Sequence, residues 1–163
     1  MKVLVADDDP VSQKLLEAVL SEFGCEVLIA PNGQEAWETF NRQDIDLIIS
    51  DWMMPEMDGL AFCRKVRRRS NSGYPFFFLI TGKKTKVADY CQAMEEGVDD
   101  FLYKPIDGNV LKNQLKVVQR TRSLLISVSK VGVKGFYQFI KSKPEGLEEV
   151  NHRSLTARGA RRT

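Results

Sequence analysis

Four short apolar runs, each ending on a polar or charged residue, constrain this chain more than any other feature. They are Val3-Leu4-Val5-Ala6 before Asp7-Asp8, Leu47-Ile48-Ile49-Ser50 before Asp51, Phe76 to Ile80 before Thr81, and Phe101-Leu102-Tyr103 before Lys104. A run that is apolar at every position suits a strand covered on both faces, as in a parallel sheet between helices. The carboxyl ends of such strands share one edge, and ligands bind there. Three carboxylates, a hydroxyl and an amine, far apart in sequence, should therefore converge. Three acids together repel one another unless a cation lies between them. An amine and a hydroxyl beside that cation suit an anion such as a phosphoryl group.

Helical patterns separate the runs. Asp9 can cap a helix that begins at Pro10 and reaches Glu22, with Val11, Leu15, Leu16, Val19 and Leu20 as its apolar stripe. Glu26 to Ala30 reads as a further strand, and Asn32 caps a helix from Gly33 to Asn41 that turns Ala36, Trp37 and Phe40 inward. Pro55, Asp58 and Gly59 mark a loop before a helix from Leu60 to Arg69. Lys86 to Glu96 is the next helix, ended by Gly97, and Asp107 opens the last, with Leu111, Leu115 and Val118 on one face. Five βα units of this kind imply an α/β fold, a doubly wound five-stranded parallel sheet with helices on both sides.

With 163 residues, the chain suits one domain and an appendage. Residues 1–119 hold 14 Lys/Arg against 19 Asp/Glu, whereas residues 120–163 hold 10 against 3, so an acidic body carries a basic tail. No apolar run approaches a membrane span. The N-terminus enters a strand at once and meets acids too early for a signal peptide, which makes a cytoplasmic location the expectation. Cys25, Cys63 and Cys91 are odd in number and lack metal-like spacing, so they read as reduced, mostly packed thiols.

Four motifs in register resemble the receiver domain of two-component response regulators. They are Leu4-Val5-Ala6-Asp7-Asp8-Asp9-Pro10, Asp51 through Gly59, Leu79-Ile80-Thr81-Gly82, and Gly97 through Pro105. The resemblance covers roughly residues 1 to 120 and implies strand order 2-1-3-4-5. We expect a receiver domain at 1–122 and a basic C-terminal extension at 123–163, helical or flexible, with no recognised output domain. The resemblance implies a phosphoacceptor signalling protein rather than an enzyme, one that assists its own phosphotransfer and dephosphorylation.

The family's chemistry implies that Asp51 accepts a phosphoryl group from a sensor histidine kinase or a phosphotransfer protein. It implies Mg²⁺ held by Asp7, Asp8, Asp51 and the Met53 backbone carbonyl. Oxygen-only ligands in an incomplete shell suit that ion. Lys104 and Thr81 would bind phosphoryl oxygens, and the Lys104-Pro105 peptide would be cis. Thr81 and Phe101 would form the switch: the hydroxyl moves toward the phosphoryl group, Phe101 turns inward, and a downstream protein reads the change at the fourth helix, fifth strand and fifth helix. The resemblance also implies that Met53 and Lys83 occupy positions that influence the dephosphorylation rate, and the small Gly82 should leave access to the phosphoryl group open. Trp52, beside the acceptor, is a candidate optical reporter.

Other readings weigh against this one. Asp7 and Asp9 have the spacing of a haloacid-dehalogenase-like phosphatase, with Asp7 as nucleophile. However, Asp99-Asp100 then precedes Lys104, in the wrong order, and Asp51 has no role. A receiver-like module that binds without phosphorylation leaves the acidic site unexplained. Asp58, Asp99 and Asp100 read as loop or capping acids. The cluster Arg64, Lys65, Arg67, Arg68 and Arg69 suits the negative end of a helix better than it suits nucleic acid, given the acidic body. In the tail, Leu125 and Val128 continue the helical spacing, Gly132 and Gly135 interrupt it, and Phe136, Phe139 and Ile140 form a small stripe. A docked or homodimerising helix is preferred there to a flexible tail or a polyanion contact, and His152 reads as an ordinary surface residue.

Overall fold

The structure, a computed structural model, describes residues 1–69, 73–82 and 86–141, the segment 128–141 as helix backbone only. Lys83, the side chains of the Phe136-Phe139-Ile140 stripe and His152 lie outside the described residues. Five strands, β1 (Lys2–Ala6), β2 (Glu26–Ala30), β3 (Leu47–Asp51), β4 (Phe76–Thr81) and β5 (Asp100–Tyr103), alternate with five helices. The helices are α1 (Pro10–Glu22), α2 (Gly33–Arg42), α3 (Gly59–Arg68), α4 (Val87–Glu95) and α5 (Gly108–Lys141). The strands form one parallel sheet in the order β2-β1-β3-β4-β5. Among the described residues no helix is long and apolar enough to cross a membrane.

Side chains alternate across the strands, so each run feeds two cores. Leu4, Ala6, Ile48, Phe77, Leu79 and Phe101 face Ala36, Phe40, Phe62, Val66 and Ala93 of α2, α3 and α4. Val3, Val5, Leu47, Ile49, Phe78, Ile80 and Leu102 face Leu16, Leu20, Leu111, Leu115 and Val118 of α1 and α5. Continuous apolar strands follow from burial on both sides.

Local chemistry sets the helix starts. The Asp9 carboxylate accepts from the backbone N–H groups of Val11 (3.1 Å) and Ser12 (3.2 Å), with Pro10 at the first helical position. These hydrogen bonds, the one to Val11 foremost, hold the Asp9 carboxyl below its ordinary range. Asn32 accepts from Glu35 and Asp58 from Ala61 in the same way. Gly24 closes α1 at φ 76°, where a side chain would be strained.

Two expectations change. Val11 and Leu15 are 74% and 46% exposed. They lie about 140° and 100° round the helix from the buried Leu16, so only Leu16, Val19 and Leu20 reach the sheet. Gly132 and Gly135 do not interrupt the backbone, since α5 runs through both to Lys141. The thiols are mostly packed, as expected: Cys63 is buried and Cys25 half-buried, while Cys91 is exposed on α4.

The chain divides into two compact units, Met1–Arg120 and Thr121–Thr163. In the second, Leu124, Leu125 and Ile126 are exposed.

Candidate functional site

β1 and β3 are neighbours, with Ala6 opposite Ser50. Asp7 therefore leaves β1 beside Asp51, the last residue of β3. Carboxylate oxygens of Asp7, Asp8 and Asp51 all lie within 4.8 Å of one another. Asp7 is fully buried, Asp51 is nearly so, and Asp8 is exposed, which makes a cleft with one open side. On β4, Thr81 stands one residue past Ile80, the partner of Asp51 across the ladder, and it is 7% exposed.

Lys104 follows β5. Its backbone N–H donates to the Thr81 carbonyl at 2.9 Å, and the peptide to Pro105 is cis. Its Nζ donates to Asp51 Oδ2 in a very short contact and lies 3.1 Å from Asp7 Oδ2. The strand ends thus bring together all five residues singled out by the runs.

The site carries more acid than base. Asp7 Oδ1 accepts from the Asp9 N–H at 2.9 Å, while buried Oδ2 has no aligned hydrogen-bond donor despite the nearby ammonium. Burial pushes the Asp7 carboxyl above its ordinary range; the Asp9 N–H and Lys104 offset this only in part, and the Asp51 charge adds to it. Burial works against the Lys104 charge too, but hydrogen bonds to Asp51 and Asp7, reinforced by their charges, win and hold the amine above its ordinary range.

An oxygen-only set with an orphaned buried carboxylate oxygen and one exposed member fits a hard divalent cation that keeps water. Met53 donates its N–H to Asp51 Oδ1 at 3.2 Å, and its carbonyl makes no hydrogen bond among the described residues. Gly59 opens α3 directly against the acceptor strand. A Cβ there would fall 2.2 Å from the Asp51 carbonyl oxygen, so only glycine lets this helix start so close.

Phe101 on β5 is already turned inward, 5% exposed. Its ring centroid lies 6.2 Å from Trp52 and 4.7 Å from Tyr90 of α4. The row Trp52-Phe101-Tyr90 leads from the loop beside Asp51 to the α4 surface. Tyr90 escaped the sequence reading because an aromatic on an exposed helix carries no signal of its partner. Asp99 lies in the loop before β5, as its loop or capping character implies. In the fold it is an anchor: it accepts from Arg67, from the Tyr74 hydroxyl and from the Phe77 N–H, each at 2.7 Å.

A five-stranded sheet in this order, with paired acids at its switch point and a lysine after the last strand, defines a class that sequence comparison identifies independently. The model of the response regulator receiver domain matches residues 3–116. The chain belongs to that family. It is 39% identical over 123 residues to chemotaxis protein CheY1 of Helicobacter pylori, covering 74% of this chain and 98% of that one. It is 34% identical to the probable transcriptional regulator ycf27 of Galdieria sulphuraria, over 73% of this chain and 45% of that one.

Among solved structures, chemotaxis protein CheY4 of Vibrio cholerae superposes with a TM-score of 0.67 at 30% identity, covering 72% of this chain and 97% of that one. The receiver domain of a sensor histidine kinase from Pseudomonas aeruginosa gives 0.63 at 28% identity, over 73% and 94% of the two chains. In that structure a magnesium ion is coordinated in the active-site cleft. The dehalogenase-like reading falls with this membership. It required Asp7 as nucleophile, yet the Asp7 side chain is fully buried, with Oδ1 accepting from the Asp9 N–H.

Proposed function

We propose that Asp51 takes a phosphoryl group from the phosphohistidine of a sensor kinase or phosphotransfer protein. The observation that carries this is the meeting of Asp7, Asp8 and Asp51 within 4.8 Å, with the Lys104 ammonium on the acceptor carboxylate. In the transfer, an Asp51 oxygen bonds to phosphorus as the bond from phosphorus to the imidazole nitrogen breaks. The imidazole leaves with the electron pair. Asp7, Asp8, Asp51 and the Met53 carbonyl would hold Mg²⁺, which supplies charge neutralisation between carboxylate and phosphoryl oxygens when bound.

Lys104 is freed from Asp51 once that carboxylate is esterified, and its ammonium then binds a phosphoryl oxygen. Thr81 offers its hydroxyl to another. The movement of Thr81 is passed to Phe101, packed between Trp52 and Tyr90, and biases two arrangements of α4 and β5. A downstream protein reads that surface. The same site assists hydrolysis of its own acyl phosphate. The protein acts in the cytoplasm, with residues 1–122 as receiver and 123–163 as a basic C-terminal extension.

The test is labelling by a small phosphodonor such as acetyl phosphate, with and without Mg²⁺, followed by peptide mapping. Label on Asp51 that vanishes in Asp51→Asn and without the ion is the expected outcome. Label elsewhere, or none, rejects the proposal.

A further inference from the structure

The five-residue basic cluster on α3 splits into two groups in the fold. Arg64 pairs with Glu96 (Nε to Oε2, 2.9 Å), and Arg67 pairs with Asp99 while donating to the Gly97 and Pro75 carbonyls. Arg69 donates to the Phe40 and Asn41 carbonyls at the end of α2. These three are structural. Lys65 and Arg68 are exposed and make no ion pair with any described residue. Both lie with Arg67 in the last turn of α3, where a cation complements the helix dipole, and both remain open to a further partner.

Lys65 and Arg68 flank an open groove between α2 and α3 of about 390 Å³, lined by Trp37, Asn41, Lys65, Arg68 and Arg69. The half-buried Trp37 indole forms its aromatic wall; Phe40 packs against that ring with centroids 5.9 Å apart, and the Lys65 ammonium lies 5.7 Å from its centroid. No acid lines the groove. An indole with a face coverable by a flexible lysine, next to two cations and the Asn41 amide, matches one ligand chemistry: a flat aromatic ring carrying phosphate. The ammonium can leave the ring for a phosphate as a base takes its place. The acidic body around it, 19 Asp/Glu against 14 Lys/Arg over residues 1–119, disfavours a long polyanion.

We propose that the α2–α3 groove binds a free nucleotide, with the base on Trp37 and the phosphates on Lys65 and Arg68. This site uses none of the residues of the acidic cleft.

Calorimetric titration of the full chain, in EDTA, with ATP, tripolyphosphate and adenosine tests it. ATP should bind in about the micromolar to submillimolar range, and tripolyphosphate and adenosine each at least about tenfold more weakly. Lys65→Glu with Arg68→Glu should lower ATP affinity at least about tenfold, leaving phosphodonor labelling of Asp51 intact. Both side chains are exposed, so the fold should survive. In a Trp52→Phe background, ATP should quench the remaining emission, which belongs to Trp37. Tripolyphosphate equal to ATP, absence of quenching, or ATP binding unmoved by the charge reversal would each overturn the site. A single-stranded oligonucleotide that binds more tightly than ATP with a steep salt dependence would overturn the assignment to a free nucleotide.

Discussion

At the carboxyl edge of the sheet, three acids meet one amine; at the opposite edge of β4, acids and bases balance. The first network holds Asp7, Asp8, Asp51 and Lys104, and it leaves the buried Asp7 Oδ2 without an aligned donor. The second joins α3 to the turn after α4: Arg67 spends its guanidinium on Asp99, Gly97 and Pro75, Tyr74 closes over it at 4.2 Å, and Arg64 holds Glu96. A polar network balanced in charge within the chain holds the fold together. One left with excess charge costs stability and is useful only if something from outside completes it. Each lies partly buried and each leaves one buried carboxylate oxygen, Asp7 Oδ2 and Glu96 Oε2, without an aligned donor, so neither burial nor an orphaned oxygen separates a site from a strut; the balance of charge does.

The comparison breaks most sharply at Asp51. Asp51→Asn should abolish phosphodonor labelling while the far-ultraviolet circular dichroism stays native. Next is Arg67→Ala, which should cost about 3 kcal/mol in urea denaturation, because it strands Asp99 and two carbonyls, and yet should leave labelling in place. If labelling falls in proportion to stability, the two networks are not separate. Asp7→Asn inverts the pattern: it should leave stability unchanged or raise it by up to about 1 kcal/mol, since one of three crowded acids is neutralised. The same variant should weaken Mg²⁺ binding, followed through Trp52 emission, at least about tenfold.

The smallest effect belongs to the balanced edge at alkaline pH. Burial pushes the Cys63 thiol up to about 12, and burial with the Asp99 hydrogen bond does the same for the Tyr74 hydroxyl. Both groups keep their protons in the folded state after the unfolded chain has lost them, so stability should decline as pH rises above the ordinary thiol value of 9.0. A melting temperature that is flat between pH 8 and the pH of global unfolding would contradict this. At neutral pH, iodoacetamide should modify the exposed Cys91 well before Cys63.

Much of the carboxyl edge was legible before any coordinates. Asp7, Asp51, Thr81 and Lys104 each follow a run whose apolar character marks a doubly covered strand, and parallel topology then puts strand ends together. The opposite edge was not legible. Arg67 and Asp99 are 32 residues apart, and nothing in either neighbourhood announces the other. The basic cluster read as one feature and is two, because alternate residues of a helix face different neighbours.

The order of strands and helices, the caps at Asp9, Asn32 and Asp58, and the gathering of the acids were determined by sequence alone, since periodicity and capping act within a few residues. Tertiary structure decided the rest. It chose which residues of the α1 stripe reach the sheet, stacked Tyr90 on Phe101, bound Lys104 to Asp51 and opened the groove beside Trp37. Those outcomes depend on the distance and angle between packed elements, which no local pattern encodes.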